Sequence, residues 1–526
     1  MIRRAPRFPR LALLLLAALP TTAWAMAPAQ DFTAHWSGLV AVGIFVAAYL
    51  LVIAEESTGL RKSQPVMLAA GAIWAVLAIA SARAGLSDAV HEAVRDYLLE
   101  FAELLLFLLA AMTYVNAMSE RGLFEVLRVW LLRRGLGYRA LFWATGLLAF
   151  CMSPLIDNLT TALVLCAVVL AVGRDSPKFV ALACINIVVA ANAGGAFTPF
   201  GDITTLMVWQ AGKVPFASFF ALFLPALVNW GVPALCMHAA VPGGTPVLTD
   251  AQARLRRGGL VIVGLFGLTI AVAVGFHQFL HLPPFLGMMT GLALLKLYGW
   301  HLTRAATAQQ AAEFAREGAP GDVDAFDSYE QVARAEWDTL LFFFGVIMCV
   351  GALGYCGYLA LLSQQFYGGL GATTANVLVG LLSAVLDNIP MMVAVLQMAP
   401  AMDTGQWLLV TLTAGVGGSL LSIGSAAGVA LMGQAQGRYT FMSHLRWSWA
   451  VACARCTTAA CGRCRWIRAS ATSLPCLPPS AVITVEPRTT VIPTGKRPMS
   501  MSELTITKRR LLSGIALAGA VAALSA

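Results

Sequence analysis

Apolar runs long enough to cross the hydrocarbon core of a bilayer, roughly 20 residues in a helix, recur along the whole chain. They fall at 38–55, 66–82, 99–118, 140–153, 155–172, 179–200, 216–240, 258–276, 283–299, 339–362, 375–402 and 406–433. A backbone at that depth must satisfy its own hydrogen bonds, so the pattern predicts an all-α polytopic membrane protein. With 59% hydrophobic residues, 12% charged residues and a mean hydropathy of +0.76 over 526 residues, a soluble globular fold is excluded.

The formal charge of +9 is not spread over that body. Between 451 and 526 stand ten Lys and Arg (Arg455, Arg463, Arg465, Arg468, Arg488, Lys496, Arg497, Lys508, Arg509 and Arg510) against Glu486 and Glu503, so the tail holds +8 of it. The basic pI therefore gives no reason to expect a nucleic-acid partner. Cysteine divides the same way. Cys151, Cys166, Cys184, Cys236, Cys349 and Cys356 lie in apolar segments as small hydrophobes, and five more crowd into 453–476. There Cys453-x-x-Cys456 and Cys461-x-x-Cys464 mimic a zinc site, but four intervening residues are too few for the chain to fold back, so no transition-metal site is expected.

Residues 1–25 read as a cleavable signal peptide: Arg3, Arg4, Arg7 and Arg10, the apolar run Leu11–Pro20, then Ala23-Trp24-Ala25 as a cleavage site, with an uncleaved first helix as the alternative. Starting outside, the loops obey the positive-inside rule. Arg61-Lys62 falls inside, the acidic loop with Asp88, Glu92 and Asp96 outside, and Arg121 to Arg139 inside. Segment 140–172 returns to the basic pair Arg174 and Lys178, so it begins and ends in the cytoplasm as a hairpin. The loop 300–336, charged with both signs, reads as a cytoplasmic linker between a first repeat at 36–299 and a second at 337–450.

Two motifs recur in the same order. Ser153-Pro-Leu-Ile-Asp157-Asn158 aligns with Ser383-Ala-Val-Leu-Asp387-Asn388, and Gly194-Gly195 through Gly201-Asp202 aligns with Gly417-Gly418 through Gly424-Ser425. By the same loop count, 339–362 delivers the second Asp-Asn hairpin, 371–402, to the outside. This predicts inverted-topology repeats, each with a re-entrant hairpin and a broken transmembrane helix, the construction of many secondary transporters.

Pro154 and Pro390 beside the Asp-Asn pairs remove backbone hydrogen bonds, which points to broken-helix tips where carboxylate, amide and carbonyl oxygens gather. Such hard oxygens suit small alkali cations. A carboxylate inside the membrane costs at least about 2.5–3.5 kcal/mol on insertion scales and marks function by default. The candidate ion and proton ligands are therefore Asp157, Asn158, Asp202, Asp387 and Asn388. Thr160, Thr161, Thr198, Thr204, Thr205, Ser383, Ser422 and Ser425 are supporting oxygens, with helix capping or bonding to their own backbone as the structural alternative. Glu103 reads as facing water at an outer helix end, His277 and His281 as interfacial anchors, and Glu336-Trp337-Asp338 as an interfacial belt at a helix start.

Four stretches together resemble the NhaD-type sodium/proton antiporters of the ion transporter superfamily. They are Ser153-Pro154-Leu155-Ile156-Asp157-Asn158-Leu159-Thr160-Thr161, the run from Asn192-Ala193-Gly194-Gly195 to Gly201-Asp202-Ile203-Thr204-Thr205, Glu336-Trp337-Asp338 through Gly345, and Leu386-Asp387-Asn388-Ile389-Pro390. The likeness spans about 36–450. It implies exchange of Na⁺ or Li⁺ against H⁺ at the motif aspartates, in a bacterial-type cytoplasmic membrane, without enzyme chemistry or a cofactor. The implied partners are small cations, protons and lipid, and a homodimer is compatible. Residues 451–526 depart from the pattern: a last span dissolves into Cys-, Arg- and Pro-rich sequence, and Met501 to Ala526 resembles a second signal peptide, as after a frameshift with read-through. The rival on the same scaffold is a sodium-coupled carboxylate or arsenite carrier, disfavoured by two acidic tips. A remoter one is an intramembrane aspartyl protease, whose motif would need Gly where Pro199 stands.

Overall fold

The computed structural model describes residues 32–452 apart from 84, 86, 247–252, 318–327 and 436. The signal peptide expected at 1–25, the paired cysteines and nearly all of the basic tail lie outside the described residues. The described regular structure is entirely helical. The first half comprises α1 (Trp36–Ile53), α2 (Ser63–Arg83), α3 (Ser87–Glu120), α4 (Leu123–Arg133), α5 (Tyr138–Ile156), α6 (Asn158–Val172), α7 (Pro177–Gly195), α8 (Ile203–Gln210) and α9 (Phe223–His238). Then follow α10 (Gly259–Leu280), α11 (Pro284–Glu317), α12 (Trp337–Tyr355), α13 (Ala372–Leu382), α14 (Asn388–Met398), α15 (Thr404–Gly417) and α16 (Ala426–Gln434). Among the described residues, eight helices are long and apolar enough to cross a membrane, counting the 3₁₀ turn at 216–222 with α9 as one.

The periphery exposes Leu39, Leu68, Leu235, Leu260 and Phe279, large apolar side chains that a bilayer, not water, would cover. The centre is α7, whose spanning window is 89% buried. Its Ala190, Ala191, Ala193, Gly194 and Gly195 keep it slender enough for α5, α6 and α9 to close on it. Polar side chains tie helices together where lipid offers no alternative partner. Asn186 donates to the Phe142 carbonyl (2.7 Å) and accepts from Trp230 Nε1 (2.9 Å), joining α5, α7 and α9. Tyr114 donates to the Gly291 carbonyl (2.7 Å) and accepts from Thr269 (2.9 Å), joining α3, α10 and α11. Trp74 Nε1 reaches the Met348 carbonyl at 3.0 Å, fixing α2 on α12.

Two expectations change in detail. The helix containing 99–118 begins at Ser87, twelve residues before the apolar run, because amphipathic sequence extends it. The stretch expected as a linker from 300 is helical to Glu317, and its end is docked: Asn116 donates to the Gln331 carbonyl (3.1 Å) and Gln331 donates to Glu120. The broken helix expected within 406–433 is α15 and α16, with residues 418–425 between them.

Candidate functional site

Both Asp-Asn pairs sit where a helix stops and another starts. α5 ends at Ile156, and Asp157 takes φ 78° with ψ 157°, a region that residues other than glycine rarely adopt. It is held there because its carboxylate caps α6, Oδ1 accepting from the Thr160 N–H (2.8 Å) and Oδ2 from the Thr160 hydroxyl (2.9 Å). Asp387 occupies the same place before α14 with ordinary backbone angles, and its side chain makes no capping bond. Its Oδ1 is buried without a hydrogen-bond partner among the described residues, and its Oδ2 faces Lys62 Nζ at 3.9 Å. Pro390 does not break a helix as expected. It is the third residue of α14, where a missing N–H costs nothing because that position has no acceptor behind it. Pro154 lies inside the last turn of α5, and the Phe150 carbonyl it leaves without an intrahelical donor lies against Gly194, only 2.4 Å from where a Cβ would stand.

The glycine pairs end α7 and α15, and irregular backbone runs through the rest of these glycine-rich stretches, at 196–202 and 418–425. Ser153 donates to the Ala191 carbonyl (2.6 Å) and Ser383 to the Ala414 carbonyl (2.7 Å), so the matched serines pin each tip to the matched helix beside it. Thr198 donates to the Pro154 carbonyl (2.8 Å) and closes the first loop onto its tip.

The two halves interlock at these breaks. Asn388 donates to both oxygens of Asp202, at 3.1 and 3.4 Å, while Asp202 caps α8 through the Thr204 N–H (3.3 Å). Asn158 donates to Asn192 Oδ1 (3.0 Å), and Asn192 donates to Ser419 (2.8 Å). Asp157, Asn158, Asp202 and Asn388 therefore line one cavity, with Thr160, Glu336 and Lys62 on its wall. Thr204 and Thr205 are buried on α8, Thr205 bonding the Asp202 carbonyl (2.6 Å), and Ser425 caps α16 through Gly428 N–H (3.2 Å). Neither Thr204 and Thr205 nor Ser422 and Ser425 lie on the cavity wall, whereas Thr161 carries a buried hydroxyl oxygen with no partner among the described residues.

Sequence reasoning missed four members of this neighbourhood. Asn192 and Ser419 lie inside the duplicated motifs but looked like spacing residues. Glu336 looked interfacial, yet it precedes α12 with its side chain in the cavity. Lys62 gave no signal beyond a positive loop. His277 packs its ring on Trp209 at 4.9 Å, which explains it as a packing residue.

A helical membrane bundle in which two broken helices meet tip to tip around buried carboxylates and amides is the build of a secondary transporter. A family model described as CitMHS, citrate transporter, matches residues 49–415. The chain is 55% identical over 451 residues to the Na(+)/H(+) antiporter NhaD of Vibrio cholerae, covering 84% of this chain and 94% of that one. It is 54% identical to the protein of that name from Alkalimonas amylolytica (83% and 92% covered) and 53% identical to that from Halomonas elongata (85% and 92% covered). The chain belongs to the NhaD-type Na⁺/H⁺ antiporter family, as multi-pass proteins of the cytoplasmic membrane.

Proposed function

We propose that the protein exchanges Na⁺, or Li⁺, for H⁺ by secondary active transport, and that both ions use one set of ligands: Asp157, Asn158, Asp202, Asp387 and Asn388. The observation that carries this reading is the cavity at the two helix breaks, where the carboxylates of Asp157 and Asp202 meet the amide of Asn388 from the other half, with Asp387 next in sequence and paired to Lys62 on the wall. A bare carboxylate is costly in such a site, and either a proton or a Na⁺ relieves that cost. The same oxygens cannot hold both, so loading one ion expels the other. We read 36–299 and 337–450 as inverted repeats, a reading supported by the paired serine-to-carbonyl bonds at the two tips.

The family description names citrate, but a tricarboxylate entering this cavity would meet Asp157, Asp202 and Glu336 against Lys62, the one basic side chain among the described lining residues, a net repulsion. Everted vesicles carrying a pH-sensitive dye separate the two. Adding NaCl or LiCl should dequench the dye, and sodium citrate should act no more strongly than NaCl at equal Na⁺. Citrate-dependent flux that survives replacement of Na⁺ would favour the carboxylate reading.

Competition fixes the sign of the pH dependence. As pH falls, protons occupy more of the carboxylates, so the apparent KM for Na⁺ rises, by up to about tenfold per pH unit where one proton competes, with the maximal rate little changed. A KM independent of pH across the active range would contradict shared ligands.

A further inference from the structure

Lys62 belongs to none of the duplicated motifs. It lies in the connection between α1 and α2, a place where a basic residue ordinarily needs no explanation beyond membrane topology. Its side chain is nonetheless folded inward, 17% exposed, with Nζ 3.9 Å from Asp387 Oδ2 and 4.8 Å from the centre of the Phe342 ring. The next residue, Ser63, donates to the Asp338 carboxylate, which anchors the loop to the start of α12 and keeps the lysine from swinging away. Among the described residues lining the cavity, Lys62 is the one basic side chain, and it shares the wall with Asp157, Asp202 and Glu336.

Two features make this contact look exchangeable. At 3.9 Å the ammonium stands at the outer limit of an ion pair, without the close fit of a structural bridge. Asp387 Oδ1 meanwhile is buried and makes no hydrogen bond of ordinary geometry among the described residues, so it lacks a partner that a second cation could supply. The Phe342 ring gives the ammonium an alternative resting place, since a cation over a ring face is attracted without any anion.

Resting on the exchange reading of the same site, we propose that Lys62 is a tethered counter-cation: it occupies the Asp387 side of the site when Na⁺ is absent, and Na⁺ displaces it on binding. The acidic cavity then keeps a cation beside Asp387 when it is empty of Na⁺. Sodium affinity is set by a competition inside the protein and is weaker than the carboxylates alone would produce. A site that must release its ion on each cycle benefits from such weakening, because very tight binding would slow the turnover.

The test measures the apparent KM for Na⁺ of Lys62→Gln and Lys62→Arg in everted vesicles beside wild type, at one fixed pH. Lys62→Gln removes the competitor and should lower the KM about tenfold, equivalent to about 1.4 kcal/mol, while Lys62→Arg retains the competing charge and a KM near the wild-type value. A Lys62→Gln KM at or above wild type overturns the proposal, as does an arginine variant shifted as far as the glutamine one, since that pattern marks packing. Absence of Na⁺-dependent flux in wild type sinks the exchange reading and this inference together, whereas normal wild-type exchange with an unmoved KM sinks this inference alone. Purified wild-type protein tests it without a substitution. Acylation of Lys62 by a water-soluble amine reagent, read by peptide mass spectrometry, should speed up severalfold in NaCl over choline chloride. Labelling indifferent to Na⁺ overturns it.

Discussion

Asp157→Asn and Asp387→Asn each abolish Na⁺-dependent proton flux while the protein still accumulates in the membrane. At a few ångströms, with an effective dielectric constant of about 20, the attraction between a carboxylate and a monovalent cation is about 4 kcal/mol, or roughly three orders of magnitude in binding. The amide keeps the size of the side chain and one acceptor oxygen. At position 157 it can still accept from the Thr160 N–H and go on capping α6, so the local fold survives. At position 387 no capping bond is lost, because Asp387 makes none. The expected pattern is thus normal amounts of protein with flux reduced by at least about a hundredfold. Exchange near the wild-type rate in either variant would remove that aspartate from the site.

Gly195→Ala and Gly418→Ala should be nearly as damaging for a different reason. A Cβ on Gly195 would stand 2.5 Å from the Gly201 carbonyl oxygen, and one on Gly418 would stand 2.3 Å from that of Gly424. These obstacles are backbone atoms of the irregular segments and cannot rotate aside as a side chain would. Overpacking of this kind costs about 1–3 kcal/mol, and here the strain falls on the loops leading to Asp202 and Ser425, the caps of α8 and α16. Displacing Asp202 also disturbs its bond from Asn388, so a change in one repeat reaches the tip of the other. Exchange should fall at least about tenfold in each variant. Gly264→Ala is the control: it sits in α10 with open space around its Cβ position and should leave flux unchanged within about twofold. Equal activity in all three variants would show that the irregular segments tolerate displacement and do not position the site.

Much of this arrangement was legible in the residues. Apolar run length predicted the helices, and the repeated Ser-x-x-x-Asp-Asn and Gly-Gly motifs pointed to both breaks, since the matched serines bond matched carbonyls. The family likeness read from those motifs agrees with the relatives reported above. What stayed hidden depends on contacts between distant parts of the chain. Nothing local distinguishes Lys62 from Arg61 beside it, yet one faces Asp387 325 positions away and the other is exposed. Glu336 has the flanks of an interfacial residue, and only the packing of α12 against α2 and α3 places it at the cavity. Pro390 and Pro154 looked alike beside their Asp-Asn pairs, but helix position decides what a proline does: one begins a helix, and the other frees a carbonyl near the end of one.

Sharing of ligands between Na⁺ and H⁺ is the central claim, and it requires no gradient and no vesicle to test. NaCl titrated into weakly buffered, detergent-solubilised protein should acidify the solution, saturably and in proportion to the protein present, because each Na⁺ entering the site displaces protons from its carboxylates. Choline chloride at the same ionic strength should leave the pH unchanged, and the double variant Asp157→Asn/Asp387→Asn should release almost nothing. No acidification by wild-type protein at any Na⁺ concentration, at a pH where it catalyses exchange, would contradict the account.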